Sequence, residues 1–164
     1  MDVLGAIKSR RSVREFTEEP VAREIVEAVL DAGRWAPSGL NNQPWKFKVV
    51  SDEKLKEKLS SCTKYSRIIK AAPVCIAVFL DKGESYDRIK DVQAIGACIE
   101  NMLLAAHAMG LGAVWLGEIL HQKEKAKEIL SAPGSCELMA VLALGRAAGD
   151  AGEGLRKSVK DVVL

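Results

Sequence analysis

The chain has 164 residues, the length of one domain and enough to bury a core without disulfide or metal staples. Its 48% hydrophobic and 28% charged content excludes collagen-like, disordered and coiled-coil chains. A formal net charge of +2 offers no basic excess for nucleic acid, and no apolar run approaches the roughly 18 residues of a membrane span.

Residues 2–9 are predicted as a short helix, with Asp2 as N-cap and Val3, Leu4 and Ile7 on one face. A polar, basic stretch covers 10–19. Pro20 then opens a second helix, in which Ile25, Val26, Val29 and Leu30 recur at helical spacing and which stops at Gly33. Residues 36–44 are dense in turn formers and read as a loop. Trp45 to Val50 alternates large apolar residues with Lys46 and Lys48, as a half-buried strand does. Residues 52–62 form an amphipathic helix with Leu55, Leu59 and Cys62, after a Ser51 cap. Residues 74–80 are an unbroken apolar run of strand length, suited to a central strand buried on both faces.

The helix predicted over 88–109 is polar at its start and nearly all apolar from Ala94 to Met109. Such a helix is covered on most sides, by a large core or by another subunit. Gly110 ends it. A short strand over 111–116, a charged surface helix over 122–130 and a buried strand over 137–144 follow. The order implies one α/β domain over 1–164, a mixed sheet flanked by helices. Its last stretch, 145–164, is a C-terminal arm that is Gly-rich, then basic, then apolar at Val162, Val163 and Leu164. Aromatics are only 5%, so a chain this short is poorly equipped to enclose a large apolar ligand alone.

Cys62, Cys75, Cys98 and Cys136 match no zinc or CxxC spacing, which suits reduced thiols and a cytoplasmic protein. The opening Met1-Asp2-Val3 has no apolar run, so no secretory leader is expected. His107 and His121 have no partner at ligand spacing, so no metal site is expected.

Four segments can carry chemistry. In Arg10-Arg11-Ser12-Val13-Arg14, an extended backbone projects residues 10, 12 and 14 to one side, where they can converge on one anion. Arg11 points elsewhere and contributes best through its backbone; the same residues also suit a solvated basic turn. Pro37-Ser38-Gly39-Leu40-Asn41-Asn42-Gln43-Pro44 gathers short hydrogen-bonding side chains that can pair with an edge that donates and accepts, as a flavin or base edge does, or that simply make a turn. Ser38 has no GxSxG elbow and no marked base, so it is not read as a nucleophile. Gly110-x-Gly112 begins like a dinucleotide fingerprint, but Trp115 holds the third glycine's place and the motif follows a helix, so that reading is rejected. Gly117, at a strand end, instead lets something flat approach the backbone. Arg156-Lys157 reads either as surface or as a second cationic contribution to an anion at Arg10.

Taken together, these motifs carry a resemblance. Ile7-Lys-Ser-Arg10-Arg11-Ser12-Val13-Arg14-Glu15-Phe16, then Ala36-Pro37-Ser38-Gly39-Leu40-Asn41-Asn42-Gln43-Pro44-Trp45, then Leu104 to Gly117, then Arg156-Lys-Ser-Val-Lys-Asp-Val-Val163 resemble the FMN-dependent nitroreductase family in the right order along essentially the whole chain. The resemblance implies an intertwined homodimer with two FMN sites at the subunit interface. It implies that Arg10, Ser12 and Arg14 hold the FMN phosphate and ribityl chain, with Arg11 adjacent and Arg156 joining at the phosphate. Pro37, Ser38, Gly39 and Asn42 would reach the flavin from the partner chain, and Leu116, Gly117 and Glu118 would approach the ring mainly through backbone.

The implied activity is an NAD(P)H oxidoreductase. Hydride from NADH or NADPH enters the flavin, and electrons pass by a ping-pong cycle to a nitroaromatic, quinone-like or other small acceptor. The alternatives within the same resemblance are other flavin chemistry (dehalogenation, flavin fragmentation, azoline oxidation) or a non-enzymatic flavin-binding module. The absence of a marked acid, base or nucleophile fits a cofactor that supplies the hard chemistry. The chain departs from the family pattern at Gly145-Arg146-Ala147, where Gly-Tyr-Pro is common, and at Ser158, where proline is usual. In place of a long lid it has only the Asp81 to Asp87 connection and the loop after Glu118.

Overall fold

The apolar run at the centre of the chain forms strand β2 (Val74–Asp81), buried from Val74 to Leu80. In the computed structural model, which describes all residues 1–164, it lies in a four-stranded sheet with β1 (Trp45–Val50), β3 (Gly112–Leu116) and β4 (Cys136–Gly145), ordered β1-β2-β4-β3. All three pairings are antiparallel, running Trp45↔Leu80 to Val50↔Cys75, Val74↔Leu144 to Asp81↔Cys136, and Gly112↔Gly145 to Leu116↔Val141. A parallel contact enters only through the isolated bridge Ser12↔Ala113.

Helices cover both faces of the sheet, so β2 and the second half of β4 are apolar without alternation. Side chains still sort by the two-residue period of a strand. Ile76, Val78 and Leu80, with Leu142 and Leu144, pack under α2 (Arg23–Arg34) and α5 (Arg88–Ala108), against Val26, Val29, Ile95, Ile99 and Met102. Cys75, Ala77 and Phe79, with Val141 and Ala143, face α3 (Glu53–Ser60), α4 (Ser66–Ala71) and α6 (Lys123–Ile129), against Leu59, Ile69, Ala126 and Leu130. The first helix, α1 (Val3–Ser9), begins at the predicted cap: Asp2 Oδ1 accepts from Gly5 N–H at 2.8 Å.

Several local expectations are corrected. The second helix starts at Arg23 rather than Pro20, with Ala22 at its N-cap and no side-chain bond there. The cap of α3 is Asp52, whose Oδ1 accepts from Leu55 N–H at 2.8 Å, rather than Ser51. Helix α4 was not predicted. It is too short to show a period, and tertiary contacts hold it: the buried Lys56 ammonium donates to Ala72 O at 2.8 Å just past its end and pairs with Glu53 at 2.8 Å.

Helix α5 buries Ala94, Ile95, Cys98, Ile99, Met102, Leu103 and Ala106 in the core. A second stripe remains uncovered in one chain: Ile89 is 74% exposed, and Val92, Gly96, Ala97, Leu104 and Ala105 are only half-buried. Gly110 ends the helix in left-handed conformation (φ 79°). Its N–H bonds His107 O at 3.0 Å and the Leu111 N–H bonds Ala106 O at 2.9 Å, a Schellman closure that glycine takes without strain. Beyond β4 the chain is exposed from Arg146 to Leu164, including Leu155, Val159, Val162, Val163 and Leu164. No helix is long and apolar enough to cross a membrane.

Candidate functional site

Helix α1 ends at Arg10, and the segment after it runs extended along the outer edge of β3. Val13 N–H donates to Ala113 O at 3.0 Å, and Phe16 pairs with Ala147. Thr17 N–H to Arg146 O and Ala148 N–H to Glu15 O, both 3.0 Å, stitch the same segment to the chain leaving β4. The basic motif is thus threaded between β3 and the root of the C-terminal arm.

Ser12 and Arg14 line a cavity of about 230 Å³ walled by Gly149, Asp150 and Ala151. Arg10 and Arg11 line a neighbouring cavity of about 380 Å³ that shares this wall and Val13 and includes His107. The expected convergence of residues 10, 12 and 14 on one point is therefore spread over two adjoining cavities: Arg10, at the C-cap of α1, turns toward α5. Its side chain is 18% exposed, and its Nε lies 3.5 Å from Glu100 Oε1 as an ion pair, buried and without a hydrogen-bond partner. The Arg11 guanidinium is spent on backbone carbonyls of Lys8, Arg10 and Gly152. Arg14 donates only to Ser12 O, at 3.2 Å.

Arg14 also lines a third cavity, about 500 Å³, together with Lys64, Tyr65 and Arg67. Sequence reasoning missed these two cations. They sit in and around α4, and without that helix the i, i+3 pair Lys64 and Arg67 has no shared face. Glu118 bolts this turn to the end of β3. Its carboxylate accepts from Thr63 Oγ1 at 2.5 Å and Lys64 N–H at 3.1 Å. The Thr63 hydroxyl bond, reinforced by the Lys64 N–H and ammonium against partial burial, holds that carboxyl below its ordinary value. Of the predicted Leu116-Gly117-Glu118 group, Leu116 is buried, the Glu118 side chain turns to Thr63, and Gly117 is exposed. A Cβ at Gly117 would meet nothing closer than Trp115 Nε1 at 3.9 Å, so the backbone there is open to a flat group.

Pro37, Ser38, Gly39 and Asn42 lie apart from these cavities within one chain. Leu40, Asn41 and Gln43 all have positive φ, at 54°, 54° and 48°, a strained turn closed by Ser38 Oγ accepting from Gln43 N–H at 3.0 Å. The turn is held by Asp91 of α5, which is fully buried. Asp91 accepts from Asn42 Nδ2 at 2.8 Å, Ser85 Oγ at 2.6 Å, and Tyr86 and Asp87 N–H at 3.1 and 3.2 Å. Burial pushes this carboxyl up, but the four donors outweigh it and its pKa lies below the ordinary value. Asn42 Nδ2 also donates to Glu84 O at 2.9 Å, so its amide hydrogens are committed and Oδ1 is left buried without a partner. The Tyr86 hydroxyl end fills the place a Cβ would take at Gly39. Asn42 and Asp91 pin the Asp81 to Asp87 connection. The loop after Glu118 is a 3-10 turn with Ile119 fully buried.

Arg156 is exposed on the arm, donating to its own Leu155 O at 2.7 Å, and lines none of the cavities described above. All four cysteines are free and buried, and burial pushes Cys75 and Cys98 up to about 12, which removes them as nucleophiles. No group of three or more His, Cys, Asp or Glu side chains is arranged to hold a metal.

A family model described as "Nitroreductase family" matches residues 7–64 and 56–146. The chain is 37% identical over 156 residues to a "Putative NADH dehydrogenase/NAD(P)H nitroreductase" of Methanothermobacter thermautotrophicus, covering 93% of this chain and 81% of that one. Among solved structures, a "putative nitroreductase in complex with fmn" from Desulfovibrio desulfuricans superposes with a TM-score of 0.95 at 44% identity, covering 100% of this chain and 96% of that one. A "Putative NADH Oxidase" from Clostridium acetobutylicum superposes with a TM-score of 0.88 at 31% identity, covering 97% and 98%.

Proposed function

The chain belongs to the nitroreductase family, and from that membership we propose that it is an FMN-dependent NAD(P)H oxidoreductase acting on a nitroaromatic, quinone-like or other small acceptor. The observation that carries the reading is Arg10, which lines a cavity and whose buried Nε, 3.5 Å from Glu100 Oε1, has no hydrogen-bond partner. A phosphate is the group such a donor suits, because a charge-assisted bond satisfies both partners away from water. The Ser12 hydroxyl and Arg14, across the shared wall, extend the anchor toward the ribityl chain.

When bound, FMN supplies the redox chemistry, accepting a hydride from NADH or NADPH and passing electrons to the acceptor in a second half-reaction, a ping-pong cycle. The protein's own residues bind and polarise. The open backbone at Gly117 gives the ring a flat seat. Arg14, Lys64 and Arg67, which line one cavity, would supply positive charge to a ring that gains electrons, and preorganised charge in a partly dry site acts more strongly than in water. Glu118 serves by its bonds to Thr63 and Lys64 N–H, which fix the turn carrying Lys64.

The functional unit in this reading is a homodimer. Supporting it, the uncovered stripe of α5 continues into exposed Val3, Leu4, Ile7 and Trp35, around an apolar groove of about 430 Å³. With the apolar arm this far exceeds the scattered exposed residues of a monomer. The turn carrying Pro37, Ser38 and Gly39, held in place by Asn42, then completes the flavin site of the partner, and the arm brings Arg156 to the phosphate. Four reduced, buried thiols suit a cytoplasmic setting.

Spectroscopy of the purified protein tests the proposal. Yellow protein, or colourless protein that turns yellow with added FMN, is expected; protein that fails to take up FMN refutes it. Reduction of the bound flavin by NAD(P)H separates this activity from other flavin chemistry on the same fold.

A further inference from the structure

We propose that Arg11 is a positioning residue: its guanidinium clasps the root of the C-terminal arm and fixes the direction in which the arm leaves the domain, instead of ligating an anion. Both N–H groups of Nη1 are used, on Lys8 O at 2.8 Å and Arg10 O at 2.9 Å, and Nε donates to Gly152 O at 3.1 Å. Only the Nη2 hydrogens remain, so Arg11 has no free two-pronged fork to offer a phosphate. Two of the three acceptors belong to the end of α1, whose last carbonyls lack helical partners and attract a cation.

The third acceptor is on the arm, and the arm is shaped to meet it. Gly152 is left-handed at φ 73°, bent by its N–H bonding Asp150 Oδ1 at 2.9 Å. Gly154 lies flat against the guanidinium: a Cβ there would sit 3.1 Å from Arg11 Cζ. Past Ala148, every other hydrogen bond made by residues 149–164 is internal to the arm, so Arg11 to Gly152 O is its sole hydrogen-bonded tie to the domain. The clasp governs two things at once. It holds Gly149 to Ala151 as the wall of both cavities at the basic motif, and it aims Leu155 to Leu164, with Arg156, away from the domain.

The functional consequence rests on the FMN reading above; the clasp does not. Arg11→Lys keeps the charge, but one ammonium cannot span carbonyls on two segments as the fork does. Arg11→Ala removes both. In both variants, trypsin cleavage at Arg156 and Lys157 under native conditions is expected to accelerate roughly tenfold, from loss of one charge-assisted bond. This readout needs no flavin and stands even if the protein binds none. For the flavin, the affinities of FMN and phosphate-free riboflavin are compared. The Arg11 variants should weaken both by the same factor, whereas Arg10→Ala should weaken FMN selectively. The proposal is overturned if Arg11→Lys matches wild type in arm cleavage, or if Arg11→Ala weakens FMN alone with the arm still protected.

Discussion

Replacing Arg10 by alanine isolates the phosphate contact from the stability of the fold. Within the fold Arg10 is poorly used: its Nε has no hydrogen bond, and its ion pair with Glu100 is long at 3.5 Å. Glu100 is 45% exposed and stays solvated when the arginine leaves, so the substitution should cost about 1 kcal/mol or less of stability. Binding is different: at the proposed site a charge-assisted bond to phosphate would form only in the complex, and its loss would cost roughly 1.5–3 kcal/mol, or about 10–150-fold in affinity. Titrating flavin-free protein with FMN by fluorescence quenching measures this, with riboflavin as the control that lacks the phosphate. Weaker FMN binding with unchanged riboflavin binding and nearly unchanged thermal midpoint is expected. Unchanged FMN affinity would remove Arg10 from the site and refute the argument from its orphaned donor.

Asp91→Asn should cost roughly 2–4 kcal/mol, because it puts an amide where a buried carboxylate accepts four donors, and chemical denaturation reads this directly. The Asp91 carboxyl titrates lower folded than unfolded, so its stabilisation is full above the ordinary carboxyl pKa and is lost as pH falls through the depressed folded value; the acid limb of wild-type unfolding should carry this loss and Asp91→Asn should lack it. Thr63→Val removes the main donor to Glu118, so it should loosen the turn bearing Lys64 and lower turnover more than FMN affinity, as steady-state kinetics and flavin titration together would show. Leu104→Glu, in the apolar groove between α1, α2 and α5, should give a species that sediments as a monomer and holds FMN poorly; a monomer that binds FMN tightly would contradict a shared site.

Where burial alone decides an element, the residues announce it. Strand β1 spans the predicted Trp45–Val50, marked by its alternation with Lys46 and Lys48, and β2 and α5 match their predicted spans to within a residue, because long apolar runs leave few other placements. Helix α4 escaped notice because a six-residue helix shows no period and depends on Lys56, donated from α3. The cap of α3 is expected at Ser51 and lies one residue on, since either side chain can take the role and backbone geometry chooses Asp52.

The candidate site was legible in part. Short motifs mark Arg10, Ser12 and Arg14, but not the split of the first from the other two, which follows from how α1 ends. Lys64, Arg67, Asp91 and the Arg11 clasp are tertiary facts. The Arg11 donors reach a carbonyl at the far end of the chain, and Asp91 reaches back to Asn42 across β1 and β2. No local pattern encodes such partners.

The most direct test of the account is an anaerobic titration of the purified protein with NADPH and, separately, NADH, followed by addition of a quinone. The account predicts one FMN per chain, bleaching of its visible absorbance by at least one nicotinamide, and recovery of the oxidised spectrum when the acceptor is added. Bound flavin that stays oxidised in the presence of both nicotinamides would contradict it.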